Sequence, residues 1–392
     1  MRILIAIAAV LAFLLPAPAS RAATLEVGPG HAFAAPCAAI AAAAAGDTIL
    51  IDAAGSYAGD VCAWSKDGLT LRGVNGRPRV DANGASAQGK AIWVVAGDDT
   101  TIENIELSGC HVPDMNGAGI RQEGANLTLR HAYFHDNENG ILAGENTAST
   151  ITIEYSEFAR NGAGDGYSHN LYIGHVARLV FRWNWSHDAV VGHLLKSRAA
   201  RNDILYNRLT GEAGSESYEI NLPNGGLSYV IGNLVQQPAT TQNGAMLDYL
   251  SEGAGANTDF RLFVVNNTFV NDRGSGTFLQ VGGTTPALAR NNLFVGGGTI
   301  SSQASATLDH NVAGGADLFV DAAHYDYRLR GDAAAAIDQG VAPGTGGGES
   351  LQPASVYVHP TAGASRVAVG ATDVGAYEWG GDALFANGFE NG

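Results

Sequence analysis

The sequence predicts an all-β chain wound as a parallel solenoid of about ten coils, and three features carry that expectation. Short strand-like runs recur and end on a polar residue, as in Ile102-Glu103-Asn104, Leu129-Arg130-His131, Ile151-Thr152-Ile153-Glu154 and Leu179-Val180-Phe181-Arg182. Asparagine then returns at one fixed point, at Asn184, Asn207, Asn233, Asn267, Asn292 and Asn311, with spacings of 23, 26, 34, 25 and 19 residues. A second set of runs alternates with the first: Gly119-Ile120-Arg121, Gly140-Ile141-Leu142, Asn170-Leu171-Tyr172, Gly192-His193-Leu194-Leu195, Tyr218-Glu219-Ile220 and Ala245-Met246-Leu247. Irregular spacing in the twenties fits stacked coils whose loops vary while their strands keep register. The runs are β-branched and aromatic with glycine between them, which excludes a helical repeat. A β-sandwich would call for hairpin turns, not one recurring ladder position. At the bend each asparagine amide can bond the next, and asparagine tolerates the left-handed backbone a sharp turn demands.

Along the chain, residues 1–22 read as an export signal. Arg2 gives a charged start, Ile3 to Leu15 an apolar run, and Pro16 to Ala23 a small-residue exit with cleavage near Ala22. That run falls short of the roughly 20 residues a membrane span needs. The expectation is an exported protein, secreted or periplasmic in a bacterium, with no span after cleavage. Residues 23–68 form an N-terminal cap, with a helical run from Pro36 to Ala45 and the strand Thr48-Ile49-Leu50-Ile51, because the first coil of a solenoid needs cover. Cys37 and Cys62 both fall in this segment and are expected to pair, leaving Cys110 over. The β-helix occupies 69–315, a capping segment at 316–379 closes its far end, and 380–392 is a tail too short to fold alone.

Only 15% of the 392 residues are charged, against about a quarter in an ordinary soluble protein, and 46% are hydrophobic. That balance excludes disorder. With 22 basic against 38 acidic residues, net −16, an extended basic face for nucleic acid is disfavoured. A polyanionic ligand would need a local basic patch on an acidic whole.

Val27-Gly28-Pro29-Gly30, Gly46-Asp47-Thr48-Ile49 and Leu69-Thr70-Leu71-Arg72-Gly73 look like the opening of the secreted right-handed parallel β-helix proteins of the pectate-lyase-like superfamily. Ala336-Ile337-Asp338-Gln339-Gly340 and Asp373-Val374-Gly375-Ala376-Tyr377-Glu378 look like their closing segment. The middle, His193-Leu194-Leu195-Lys196-Ser197-Arg198 followed by Tyr206-Asn207, is similar to chondroitinase-B-like and alginate-lyase-like polysaccharide lyases. The resemblance implies that Lys196 is the proton-abstracting base. It also implies an arginine one coil later, where this chain has Ser217-Tyr218-Glu219-Ile220-Asn221; Arg198 or Arg201 would have to supply that charge.

Stacked coils would gather one polar set between residues 165 and 255. The candidate catalytic residues are Lys196, Arg198, His193, His169, Tyr218 and Glu219, and the candidate substrate-binding residues are Tyr172, Asn221, Asn224, Tyr249 and Glu252. His187, Asp188 and Asp248 belong to the same stretch, whereas Phe278-Leu279-Gln280-Val281 reads as blander flank. β-Elimination across a uronic acid needs a base that is neutral at working pH, so the Lys196 pKa must be depressed by burial and by Arg198 and Arg201. The developing enolate charge needs a cation such as Arg198, or Ca2+ held by the hard oxygens of Glu219, Asn221 and Glu252. Tyr218 or Tyr172 would protonate the leaving oxygen or stack on sugar.

Plainer readings stand beside these. Lys196 also reads as an exposed strand end, His169 and His193 as bonded bend residues, and Arg121 with Glu123 as a surface pair. If Leu195 points inward, alternation turns Leu194 outward beside Lys196. Of Trp183 and Trp185, which bracket Asn184, one should be core and one exposed. Three functions remain: a lyase acting on an anionic polysaccharide as a monomer, a non-catalytic glycan-binding protein, and a glycoside hydrolase pairing Glu219 with Asp248 or Glu252. The enzymatic readings need Lys196 and Glu219 side by side on the outer wall.

Overall fold

The computed structural model describes residues 22–212 and 214–381. The segment expected to be an export signal, up to residue 21, and the expected tail from residue 382 onward lie outside the described residues. Three parallel sheets run the length of the molecule, the first with twelve strands and the second and third with ten each. One coil visits them in turn, as in Ala91–Val95 of the third sheet, Thr100–Glu103 of the first and Glu106–Ser108 of the second. Among the described residues the chain is thus an all-β parallel β-helix with one α-helix, Pro36–Ala42, whose Ala39 and Ile40 are buried with Val27 and Ile49 at the start of the core. Strands Thr24–Val27 and Thr48–Asp52 already belong to the first sheet, and Cys62–Trp64 opens the third. Cys37 and Cys62 are joined by a disulfide, and Cys110 is free and buried.

The interior is one continuous apolar column from Val27 to Phe294. Inward residues at equivalent strand positions stack coil on coil, as do Phe134 and Phe158 at 5.0 Å and Phe269 and Phe294 at 5.3 Å between ring centroids. Each such pair is worth roughly 0.5–1.5 kcal/mol beyond its buried area. The asparagine ladder runs along the bend between the first and second sheets. The Nδ2 of Asn207 donates to Oδ1 of Asn233 at 2.9 Å, that of Asn233 to Asn267 at 3.0 Å, and that of Asn267 to Asn292 at 3.0 Å. The left-handed residue is not the ladder asparagine but the one before it: Trp183, Tyr206, Asn266, Asn291 and His310 have φ between 49° and 56°, and Gly232 has 67°. The ladder asparagine is kept for its amide, because it satisfies backbone and side-chain groups that the bend would otherwise leave unpaired.

Residues 316–379 lie against the flank of the solenoid instead of plugging its end. Phe319, Tyr327, Val356, Val374 and Tyr377 pack against Leu234, Val270, Leu293 and Val295 on the outer side of the second sheet. Polar ties reach further back: Trp183 Nε1 donates to Ser355 Oγ at 2.9 Å, and the Ala354 amide donates to the Tyr206 hydroxyl at 2.9 Å. This strap half-covers both Trp183 and Trp185, so neither is core and neither stands free. The last coil keeps an open end, where Leu308 is 49% exposed. Among the described residues no helix is long and apolar enough to cross a membrane.

Candidate functional site

The third sheet presents an outward row in which Tyr172 stands in register with Lys196, Lys196 with Asn221, Asn221 with Asp248 and Asp248 with Gln280. Strand spacing is about 4.8 Å, so this polar row extends for roughly 20 Å. Below it the row continues as Leu142 and Arg121. Arg121 lies 4.0 Å from Glu123 in the expected surface pair.

Strand boundaries decide which side chains reach this wall. The strands here are Lys196–Ser197 and Ile220–Leu222, each two or more residues later than the runs at 192–195 and 218–220 predict. Before them the chain is still rounding a corner, where alternation fails. Leu194 and Leu195 are therefore both fully buried, and no apolar neighbour sits beside Lys196 from that source. The same corner turns Glu219 inward: it is fully buried, and neither carboxylate oxygen has a hydrogen-bond partner. Lys196 and Glu219 are not neighbours on the outer wall, which corrects the expectation and removes Glu219 from any surface chemistry. Tyr249 is likewise in the core, with its hydroxyl donating to the Gly226 carbonyl at 2.8 Å, so it cannot touch a substrate.

Of the remaining candidates, Tyr172, Lys196, Arg198, Tyr218, Asn224 and Glu252 reach solvent, whereas Asn221, His169 and His193 are buried beside them and Asn221 cannot border a substrate as expected. The Lys196 side chain is 13% exposed, with its Nζ 5.1 Å from the centre of the Tyr172 ring and 3.8 Å from a Glu252 oxygen. Arg198 donates through Nε to the Tyr172 hydroxyl at 2.8 Å, through Nη2 to Glu252 at 2.7 Å, and through Nη1 to the Asn224 side-chain oxygen. Burial, opposed by Glu252 but helped by Arg198, holds the Lys196 ammonium below its ordinary pKa. Beside this row His169 and His193 stack at 4.3 Å, and His193 is tilted against Tyr218 at 5.0 Å. The His193 amide donates to His169 Nδ1 at 3.0 Å, and the Tyr218 amide donates to His193 Nδ1 at 3.3 Å. Burial pushes His169 down to about 3 and His193 well below its usual value, so both imidazoles are neutral at ordinary pH. They are bonded bend residues that wall the site.

Asp248 is the residue whose weight the sequence understated. It accepts from Asn221 Nδ2 at 2.7 Å and from Gln280 Nε2 at 2.8 Å, and burial holds its carboxyl above the usual range. Gln280, placed in the bland flank, thus belongs to the row. Counting register forward from Asn221 through Asp248 would have found it. His187 and Asp188 lie elsewhere, on the outer face of the second sheet, where His187 stacks on Trp185 at 3.8 Å. Arg201 also faces away: it sits on the first sheet, bound to Asp203 at 3.0 Å and Glu349 at 2.9 Å. Arg198 alone supplies the second cation.

The calcium set of Glu219, Asn221 and Glu252 does not assemble, since Glu219 points into the core while Glu252 is half exposed and ion-paired to Arg198. Among the described residues no group of three or more His, Cys, Asp or Glu side chains is arranged to hold a metal ion.

Against known proteins, the family described as right handed beta helix region matches residues 67–235. The crystal structure of pectate lyase Pel9A aligns with a TM-score of 0.56, covering 92% of this chain and 97% of that one at 14% identity. A search of curated proteins found no match. The fold is therefore a right-handed β-helix, shared with the pectate lyase structure.

Proposed function

We propose that this right-handed β-helix acts on polysaccharide, as an exported lyase performing β-elimination on an acidic, uronate-containing glycan. The observation that carries the reading is Lys196: a half-buried lysine with a depressed pKa, held against Arg198 and Tyr172 on the outer wall. Such a lysine is a base that can be neutral near working pH, and it would remove the proton next to the substrate carboxylate. Arg198, 22% exposed, would meet the carboxylate as its negative charge spreads, at the cost of sharing itself with Glu252. Tyr172, hydrogen-bonded by Arg198, and Tyr218, across the histidine pair, flank the position where the leaving oxygen would take a proton. Asn224 and Glu252 would border the sugar.

The hydrolase reading loses its first carboxylate with Glu219, and Asp248 is fully buried behind Asn221 and Gln280. A glycan-binding role without turnover remains the second reading, favoured by the Arg198–Glu252 pair at 2.7 Å, which ties up the cation at rest. Uronate polymers incubated with the purified chain separate the two. Rising ultraviolet absorbance from a new C4–C5 double bond supports the lyase. Retention of glycan with neither absorbance nor new reducing ends rejects it.

A further inference from the structure

The outward row that carries Lys196 runs on past Tyr172 toward the N-terminal coils. Register takes it through Leu142 to Arg121 and then Val94. Arg121 therefore stands three strand steps from Lys196, about 14 Å along the wall. Other arginines of the outer surface are committed: Arg130, Arg178, Arg182 and Arg198 each donate to a carboxylate at 2.9 Å or less. Arg121 is not. Its Nε is buried without a hydrogen-bond partner, and the Glu123 carboxylate lies 4.0 Å away. That carboxylate is engaged elsewhere, since Glu123 accepts from Lys90 Nζ at 2.5 Å. Leaving a buried donor unpaired costs stability. The Arg121 side chain is 25% exposed, so its fork is open to an acceptor from outside. Lys90 and Arg121 set against Glu123 leave one positive charge over, on a chain of net charge −16.

We propose that Arg121 is a second anion-binding point on this wall, gripping a carboxylate of an acidic glycan whose reacting sugar lies over Lys196. The inference rests on reading the wall as glycan-facing, and it adds where the chain is held away from the reacting bond. A guanidinium meets a carboxylate as a planar fork with two parallel hydrogen bonds, a geometry that a lysine cannot offer. Between the two cations the wall is apolar. Leu142 and Tyr172 pack with Val94 and Ala118 in one small patch, a strip on which the faces of intervening sugar rings can rest. Beyond Lys196 in the other direction the row offers Asn221, Asp248 and Gln280, two amides and an acid with no cation among them. An anionic chain laid along the row is therefore held on the Arg121 side, which fixes its direction from Lys196 toward the N-terminal coils.

The test is elimination kinetics and equilibrium binding by the full chain, using dimers and octamers of galacturonate, alginate and chondroitin. Wild type is compared with Arg121→Gln, Arg121→Lys and Arg77→Gln, the last an exposed arginine off the row. Arg121 makes no side-chain hydrogen bond in the chain, so its replacement leaves the fold intact and reads binding. Arg121→Gln is expected to raise the octamer KM roughly tenfold, the worth of a charge-assisted pair, with kcat unchanged and dimer binding untouched. Arg121→Lys recovers part of the loss, and Arg77→Gln loses nothing. A wild type that eliminates, with an octamer KM unchanged in Arg121→Gln, overturns the subsite and spares the lyase reading. An equal loss in Arg77→Gln also overturns the subsite. Octamers bound without turnover, and more weakly by Arg121→Gln, support the subsite and reject the lyase. Binding without turnover at equal affinity in both proteins, or no binding of any of the three glycans, overturns both.

Discussion

Arg198 reaches back one coil to donate to the Tyr172 hydroxyl at 2.8 Å, and with the same guanidinium holds Glu252 at 2.7 Å from a coil further on. Three coils are thereby locked to one cation directly beside Lys196. Removing Arg198 does more than delete a charge: it frees Glu252 to approach the ammonium and takes away a like charge that disfavours it.

The pH dependence of elimination follows from that arrangement. The base acts when neutral, so the rate rises with pH and levels off at a pKa below the roughly 10.4 of an ordinary lysine. Arg198→Met moves the plateau to higher pH, and Glu252→Gln moves it to lower pH, because Glu252 stabilises the ammonium. Lys196→Ala lowers the rate by roughly 10²–10⁴-fold. Initial rates of absorbance change on a uronate polymer, taken across pH for the four proteins, check all three statements.

The asparagine ladder is expected to dominate local stability. Asn207 donates to the Phe181 carbonyl at 2.8 Å and to Asn233, while its own oxygen accepts from the Asn184 amide at 3.0 Å. Asn207→Leu leaves these groups unpaired in the interior, at roughly 1–3 kcal/mol for each one that water cannot reach. Urea unfolding should show a lower midpoint for this variant than for a surface change such as Asp332→Asn.

His169 makes stability sensitive to acid. In the unfolded chain it takes a proton near 6.5, and in the folded chain only at about 3, so the unfolded state binds more protons between those values. Its contribution is complete above pH 6.5 and shrinks as pH falls toward 3. His169→Gln removes this dependence. The stability gap between wild type and variant, measured by urea unfolding at several pH values, should narrow steadily on acidification; a constant gap would sink the account.

The cysteines should behave unequally. Cys110 is buried, and burial pushes its thiol up to about 12, so it resists alkylation in the folded protein and reacts on denaturation. Opening the Cys37–Cys62 bridge, which spans 25 residues, costs roughly 3 kcal/mol in the N-terminal coils. Mass spectrometry after alkylation, with and without denaturant and reductant, checks both.

The solenoid was legible because one ladder position recurs in the chain, and because apolar residues alternate on either side of it. The outer row was partly legible: Tyr172, Lys196, Asn221 and Arg198 come together as their spacing implies. Glu219 was misplaced because period-two alternation holds only within a strand, and its strand starts at Ile220, two residues later than composition suggests. Tyr249 was misplaced against alternation itself, since it follows the outward Asp248 within Ala245–Tyr249 and so turns inward. At the corner successive side chains such as Leu194 and Leu195 can both turn inward. The strap was expected as an end plug because composition says that a segment is apolar and not where it lies.

That strap also sets an order of events during synthesis. Ser355 can meet Trp183 only after 171 intervening residues have left the ribosome, by which time every coil it covers has been made. Until then the indole and the Tyr206 ring stand bare on a finished-looking rod. A chain cut short before residue 354 would keep its spiral and show a sticky aromatic seam, the kind of surface that quality-control proteases recognise as an unfinished product.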